Sequence, residues 1–159
     1  MDLSLFLQYL FAGITYGVIY AIVAIGFNII YNTTGIINFA QGEFLMLGGM
    51  IAVSLAPLVP LPVAIAAAVA ITAAVGGLAQ VAFIRWLRRP TVLQLVTITI
   101  GLSILLREAA LHLWDEKVRS LPYFTGTAVS SIEILGAFVS PQVLWVLGTC
   151  AAAVALLNT

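Results

Sequence analysis

The stretch "GIINFAQGEFLMLGG", Gly35 to Gly49, places three strongly polar groups, Asn38, Gln41 and Glu43, between two long apolar runs. No charged side chain occurs between Asp2 and Glu43, none between Glu43 and Arg85, and none from Ile134 to Thr159. Each of the first two gaps is long enough for more than one membrane crossing, which needs about 20 apolar residues. With 63% hydrophobic and 8% charged residues and a mean hydropathy of +1.18, the chain falls far from the roughly 25% charged residues of a soluble domain. It is read as an all-α, polytopic membrane protein.

Working outward from Asn38, the hydropathy pattern predicts five spans, over residues 5–30, 38–55, 63–84, 91–114 and 142–159, in a single transmembrane domain. "RWLRRPT" sets Arg85, Arg88 and Arg89 close together, and the positive-inside rule assigns that loop to the cytoplasm. Counting spans back puts the N-terminus outside; Lys117 and Arg119, in a stretch the same count makes external, argue weakly against it. The opening "MDLSLFLQYLFAG" has no basic region and an acid at position 2, so the first helix is expected to remain as an uncleaved anchor.

Connections are read from their punctuation. "PLVPLP", with Pro57, Pro60 and Pro62, predicts an extended, stiff tether between spans two and three. "AVSSIEILGAFVS" alternates well enough for a small hairpin around Gly136 that would serve as a lid; an ordinary solvated loop is the preferred reading.

Gly13, Gly17 and Ala21 form a small-residue stripe on span one, suited to close approach of another helix. The Ala-rich third span, "AIAAAVAITAAVGG", suits the same interior role. One cysteine, Cys150, and one histidine, His112, cannot build a disulfide framework or a metal cluster. With no nucleophile and base at usable spacing, and no phosphate-cradling loop, neither an enzyme nor a cofactor is expected. No Lys/Arg-rich run points to nucleic acid.

The polar cluster carries the functional reading. Asn38 offers an N-cap, and with Gln41 it makes an N-x-x-Q pattern related to the capping box. The apolar run after Glu43 extends only from Phe44 to Leu58, short for a full span, so the second helix is predicted to start at membrane depth. Backbone N–H groups there must be covered by protein, caps or water in a cavity, and transporters use such buried starts to meet a solute. A plain cap at the cytoplasmic interface is the open alternative. Glu43 at that depth costs on the order of 2.5 to 3.5 kcal/mol and calls for a partner, an arginine from another helix being suitable; bracing is preferred to direct solute contact. In "TITIGLSILLREAALHLW", Arg107 and Glu108 are adjacent and point apart, so each is expected to pair elsewhere or snorkel. Glu108 and His112, four apart, are within hydrogen-bonding reach of each other.

These residues carry a likeness. "GIINFAQGEFLMLGG" resembles the signature of permease subunits of branched-chain amino-acid ABC importers, and "GITYGVIYAIVAIGFNIIYNTTG", "RRP", "TITIGLSILLREAALHLW" and "RSLP" resemble their first helix, basic loop, next span and outer loop. The resemblance implies an inner-membrane path for branched-chain amino acids. Its implied partners are a second permease, two cytoplasmic ATP-binding subunits that hydrolyse ATP, and a periplasmic solute-binding protein. Asn38, Phe39, Gln41, Gly42 and Glu43 match the motif and would line or brace that path. Two departures stand out. Gln41 occupies a position where the family usually has histidine, which removes a titratable group. Members also run to about eight spans, so the chain is expected to be the N-terminal portion of such a permease. Urea, short amides or another small polar solute remain alternatives, as does a non-transporting membrane scaffold.

Overall fold

Gly35 is where the first helix stops. It adopts φ +67, the left-handed conformation that glycine enters without steric cost, and its N–H closes on the Tyr31 carbonyl at 2.7 Å. The preceding Thr33 and Thr34 hydroxyls donate to the carbonyls of Ile29 and Ile30, each at 2.7 Å. The computed structural model describes residues 3–86, 91–125, 130–134 and 137–157. Asp2, Arg88, Arg89 and Gly136 lie outside these residues.

The elements are α1 (Leu3–Thr34), α2 (Gln41–Leu55), α3 (Leu61–Ala79) continued by a π-helical turn (Gln80–Ile84), α4 (Val92–Trp114), β1 (Ile132–Ile134), β2 (Ala137–Val139) and α5 (Gln142–Leu157). Three segments, Leu3–Thr34, Leu61–Ile84 and Val92–Trp114, are long and apolar enough to cross a membrane, while α2 and α5 are shorter apolar helices. The five helices overlap the five segments read from hydropathy, three of them long enough to cross a membrane, and the protein is an all-α, multi-pass membrane protein.

Two local expectations are corrected. The α2–α3 connection turns instead of extending: the N–H groups of Leu58 and Val59 both donate to the Leu55 carbonyl, at 2.9 and 3.1 Å. Pro60 and Pro62 then start α3, where a missing N–H costs nothing because the first turn leaves those donors unpaired anyway. The loop before α5 is not plain, since β1 and β2 pair antiparallel with Ile132 opposite Val139 and Glu133 opposite Phe138.

The chain divides into two compact units. The first holds residues up to Asn28 and from Tyr123 onward. In it the Trp145 indole N–H donates to Thr125 Oγ1 at 2.8 Å, and its ring lies 5.5 Å from that of Phe124. Gly13, Gly17 and Ala21 sit on an exposed face of α1. A Cβ at either glycine would meet nothing within 4 Å, so the stripe has no partner among the described residues.

The second unit, Ile29–Pro122, carries α2, α3 and α4. Its core joins Ala40, Leu47, Ala79, Leu102, Leu106 and Ala110, with Phe44, Met46, Val75 and Trp114 packed around them. α4 is the best-defined helix start: Thr91 Oγ1 accepts from the Gln94 N–H, and the Gln94 side chain accepts from the Thr91 N–H, forming a complete capping box. At the far end Asp115 takes φ 61, and Arg119 Nη2 donates to the Trp114 carbonyl at 3.2 Å, satisfying one of the last orphan carbonyls.

Candidate functional site

The start of α2 is built differently. No side chain caps it, and Ala40 occupies the N-cap with φ −82 and ψ 3. The predicted Asn38/Gln41 box does not form. Asn38 Oδ1 accepts instead from the Ala40 N–H at 3.0 Å, and the Asn38 carbonyl accepts from the Gln41 N–H at 3.3 Å. This turn moves the helix start to Gln41. Ala40 is fully buried in the core cluster with Leu102 and Leu106, a place with room for a methyl group and no capping side chain.

Neighbouring contacts fix the depth of that start. Glu43, 8% exposed, accepts a hydrogen bond from Arg107 Nη2 at 2.8 Å, and Ser103, one turn earlier on α4, faces the same carboxylate. Toward the other end of α2, the Trp114 indole N–H donates to Ser54 Oγ at 2.7 Å. These two bonds show that α2 and α4 run in the same direction. Arg107 is the sixteenth residue of α4, about 22 Å along it at 1.5 Å per residue. α2 therefore begins beside the middle of a helix long enough to cross a bilayer, well away from that helix's own start.

Against α3 the contacts are small. A Cβ on Gly48 would lie 3.5 Å from Thr72 Oγ1, and one on Gly76 would lie 3.7 Å from the Phe44 ring. Pairing of residue 44 with 76 and of 48 with 72 makes this packing antiparallel, with α3 and its π-helical turn extending beyond the α2 start.

A cavity of about 400 Å³ opens there. Its polar lining comes from Asn38 and Gln41 at the α2 start, Thr34 at the end of α1, Thr72 and Gln80 on the third helical segment, and Thr99 on α4. Phe44, Leu102, Ile30, Ile36 and Ile84 supply apolar wall. Among the described residues, no charged side chain belongs to the lining.

The motif residues are thus divided by role. Asn38 and Gln41 reach the cavity, whereas Glu43 is bound to Arg107. Phe39 is half exposed and outside the lining. Gly42 is exposed, with nothing within 4 Å of a Cβ built on it. No hydrogen bond joins Glu108 to His112 among the described residues, and both are exposed. Thr72, Gln80, Thr99 and Phe44 were not singled out from the sequence. The available signal was that Thr72 and Gln80 are the isolated polar residues in the otherwise apolar stretch from Val63 to Ile84.

Apolar helices long enough to cross a membrane, with a further helix starting at a partly polar cavity, fit a membrane transport protein. The family description "Branched-chain amino acid transport system / permease component" matches residues 9–159, and the chain belongs to that family. It is 38% identical over 128 residues to the high-affinity branched-chain amino acid transport system permease protein BraD of Pseudomonas aeruginosa, covering 74% of this chain and 41% of the relative. It is also 48% identical over 46 residues to the LivH permease proteins of Escherichia coli K12 and Salmonella typhimurium, covering 29% of this chain and 15% of each relative. The chain thus spans about two-fifths of the length of BraD. No solved structure matches it.

Proposed function

We propose that this chain forms part of the translocation path of an ABC importer for branched-chain amino acids, in the inner membrane of a bacterium. ATP hydrolysis on cytoplasmic ATP-binding subunits drives the cycle, a periplasmic binding protein delivers the solute, and a second permease completes the path. In this arrangement the N-terminus is outside and the loop beginning at Arg85 is cytoplasmic. Gly13, Gly17 and Ala21 give α1 a face for close approach of a neighbouring helix. Asn38 and Gln41 line the path, Phe39 and Gly42 shape the turn into α2, and Glu43 braces it.

The observation that carries the reading is the α2 start, held beside the middle of α4 and opening on the cavity. A helix start at bilayer depth is tolerated where protein or a water-filled cavity covers its backbone, and its positive end favours an anionic group such as a solute carboxylate. The test is uptake of radiolabelled leucine, isoleucine and valine by the assembled system carrying Asn38→Leu. Uptake should fall at least about tenfold with subunit assembly intact, the scale expected when a polar contact is replaced by an apolar isostere. Unaltered uptake overturns the assignment.

A further inference from the structure

We infer that the outward face of α4 is where two copies of this chain meet in the membrane, helix against helix about a two-fold axis, with Arg107 of each copy answering Glu108 of the other. The pairing deepens the reading that a second permease completes the path. It makes that permease a second copy of this chain and assigns the contact, whatever solute the path carries.

The charges on α4 call for a partner. The helix is long and apolar enough to cross a membrane, yet two successive residues well inside it, Arg107 and Glu108, are charged and exposed. A charged side chain facing lipid at such depth is expensive, and these groups are normally turned to protein or water and paired. Arg107 has five N–H donors. Its Nη2 donates to Glu43 at 2.8 Å, and the side chain is still 61% exposed. Among the described residues no hydrogen bond or ion pair reaches Glu108. What covers this face must therefore bring a carboxylate and a cation to the same depth.

A second copy does so by symmetry. Consecutive helix residues stand about 100° apart, so Arg107 and Glu108 flank a line that runs between them along α4. On that line lie Leu93, Thr97, Ile100, Ile104 and Leu111, all exposed. Their spacing, alternating four and three with the charges in the remaining gap, is the repeat of a left-handed helix pair. The residues buried inside the chain, Leu95, Thr99, Leu102, Leu106 and Ala110, occupy the opposite side. The exposed seam is apolar except for Thr97, whose hydroxyl is satisfied within the helix by the Leu93 carbonyl at 2.9 Å. When two parallel helices pair about a two-fold axis, one flank of each faces the other flank of its copy at the same height. Arg107 of each copy then stands opposite Glu108 of the other, and two equivalent ion pairs form. An unrelated helix would need both charges in the reverse order at the matching depth.

The test uses the full-length subunit in native membranes with its partner subunits, expressed as two differently tagged copies that carry Cys150→Ala and one added cysteine. Under a membrane-permeant oxidant, Ile104→Cys should give a disulfide adduct bearing both tags at least about tenfold faster than Leu105→Cys. The two positions are similarly exposed, at 57% and 51%, but only Ile104 is on the seam. Adding Glu108→Arg sets two cations against each other and should slow the Ile104→Cys adduct about tenfold. Equal rates at the two positions, no adduct bearing both tags, or an adduct indifferent to Glu108→Arg would each overturn the pairing. Leucine uptake by the same untreated cells keeps the two readings apart. Uptake without a two-tag adduct leaves the importer standing and removes the pairing; a two-tag adduct without leucine uptake supports the pairing and removes the importer reading.

Discussion

α2 meets its two neighbours in opposite ways. Toward α4 it is joined by polar bonds near both ends, Glu43 to Arg107 and Ser54 to Trp114. Toward α3 it has close contacts at Gly48 and Gly76 and buried methyl groups at Ala64, Ala68 and Ala79. In a membrane there is little hydrophobic force between helices, so small residues allow backbones to approach while polar pairs set register. The α4 side therefore fixes how deep α2 sits, and the α3 side fixes how closely it packs. The cavity lies at the end of the smooth interface.

The largest effect should come from Arg107→Ala. It leaves the Glu43 carboxylate buried without its partner and should lower stability by on the order of 2 to 3 kcal/mol, below the cost of breaking a fully buried pair because the guanidinium is 61% exposed. Glu43→Gln keeps an acceptor and leaves the charge on the exposed partner, so its loss should be smaller, about 1 kcal/mol. Equal melting temperatures for the two variants in detergent would break the asymmetry. Glu43→Ala should reduce the yield of folded complex more than it changes solute preference, and the opposite pattern would place Glu43 in the path.

On the smooth side, Gly48→Leu should separate α2 from α3 at a cost of roughly 1 to 3 kcal/mol, because even a Cβ there reaches Thr72 Oγ1 at 3.5 Å. A melting temperature equal to wild type would show the interface is not close-packed. Trp114→Phe removes one interhelical hydrogen bond and should cost about 0.6 kcal/mol, measured by the same melting curve; a loss as large as that of Arg107→Ala would mean the two ends of α2 are held equally. Smallest of all should be Gly76→Ala, whose Cβ would stand at an ordinary 3.7 Å from Phe44; a melting temperature well below wild type would show that the Phe44 ring cannot give way.

The spans were legible because hydropathy is a local property: a run such as Thr97 to Trp114 declares its length without reference to the rest of the chain. That α2 is shorter than the crossing helices was also legible, from the shortness of the run after Glu43. Which residue would answer Glu43 was not, since Arg107 is 64 positions away and only packing brings the two together. Capping was misread at one end and missed at another. Asn38 and Gln41 have a capping pattern but sit where Ala40 must be buried, while Thr91 and Gln94, at an exposed start, form the box that the pattern describes. Local rules of this kind hold where solvent or open space surrounds the backbone, and yield where tertiary contacts claim the position. The cavity followed the same division: Asn38 and Gln41 stood out in a polar cluster, whereas Thr72, Gln80 and Thr99 each stand alone among apolar neighbours.

The 64-residue separation of Glu43 and Arg107 also has a meaning in time. A ribosome adding about 5 to 20 residues per second needs roughly 3 to 13 seconds to travel from one to the other. Throughout that interval the short, acid-bearing α2 lacks the partner that offsets its burial, at an insertion cost on the order of 2.5 to 3.5 kcal/mol. The bond that ties α2 to α4 can therefore form only after Arg107 has been made.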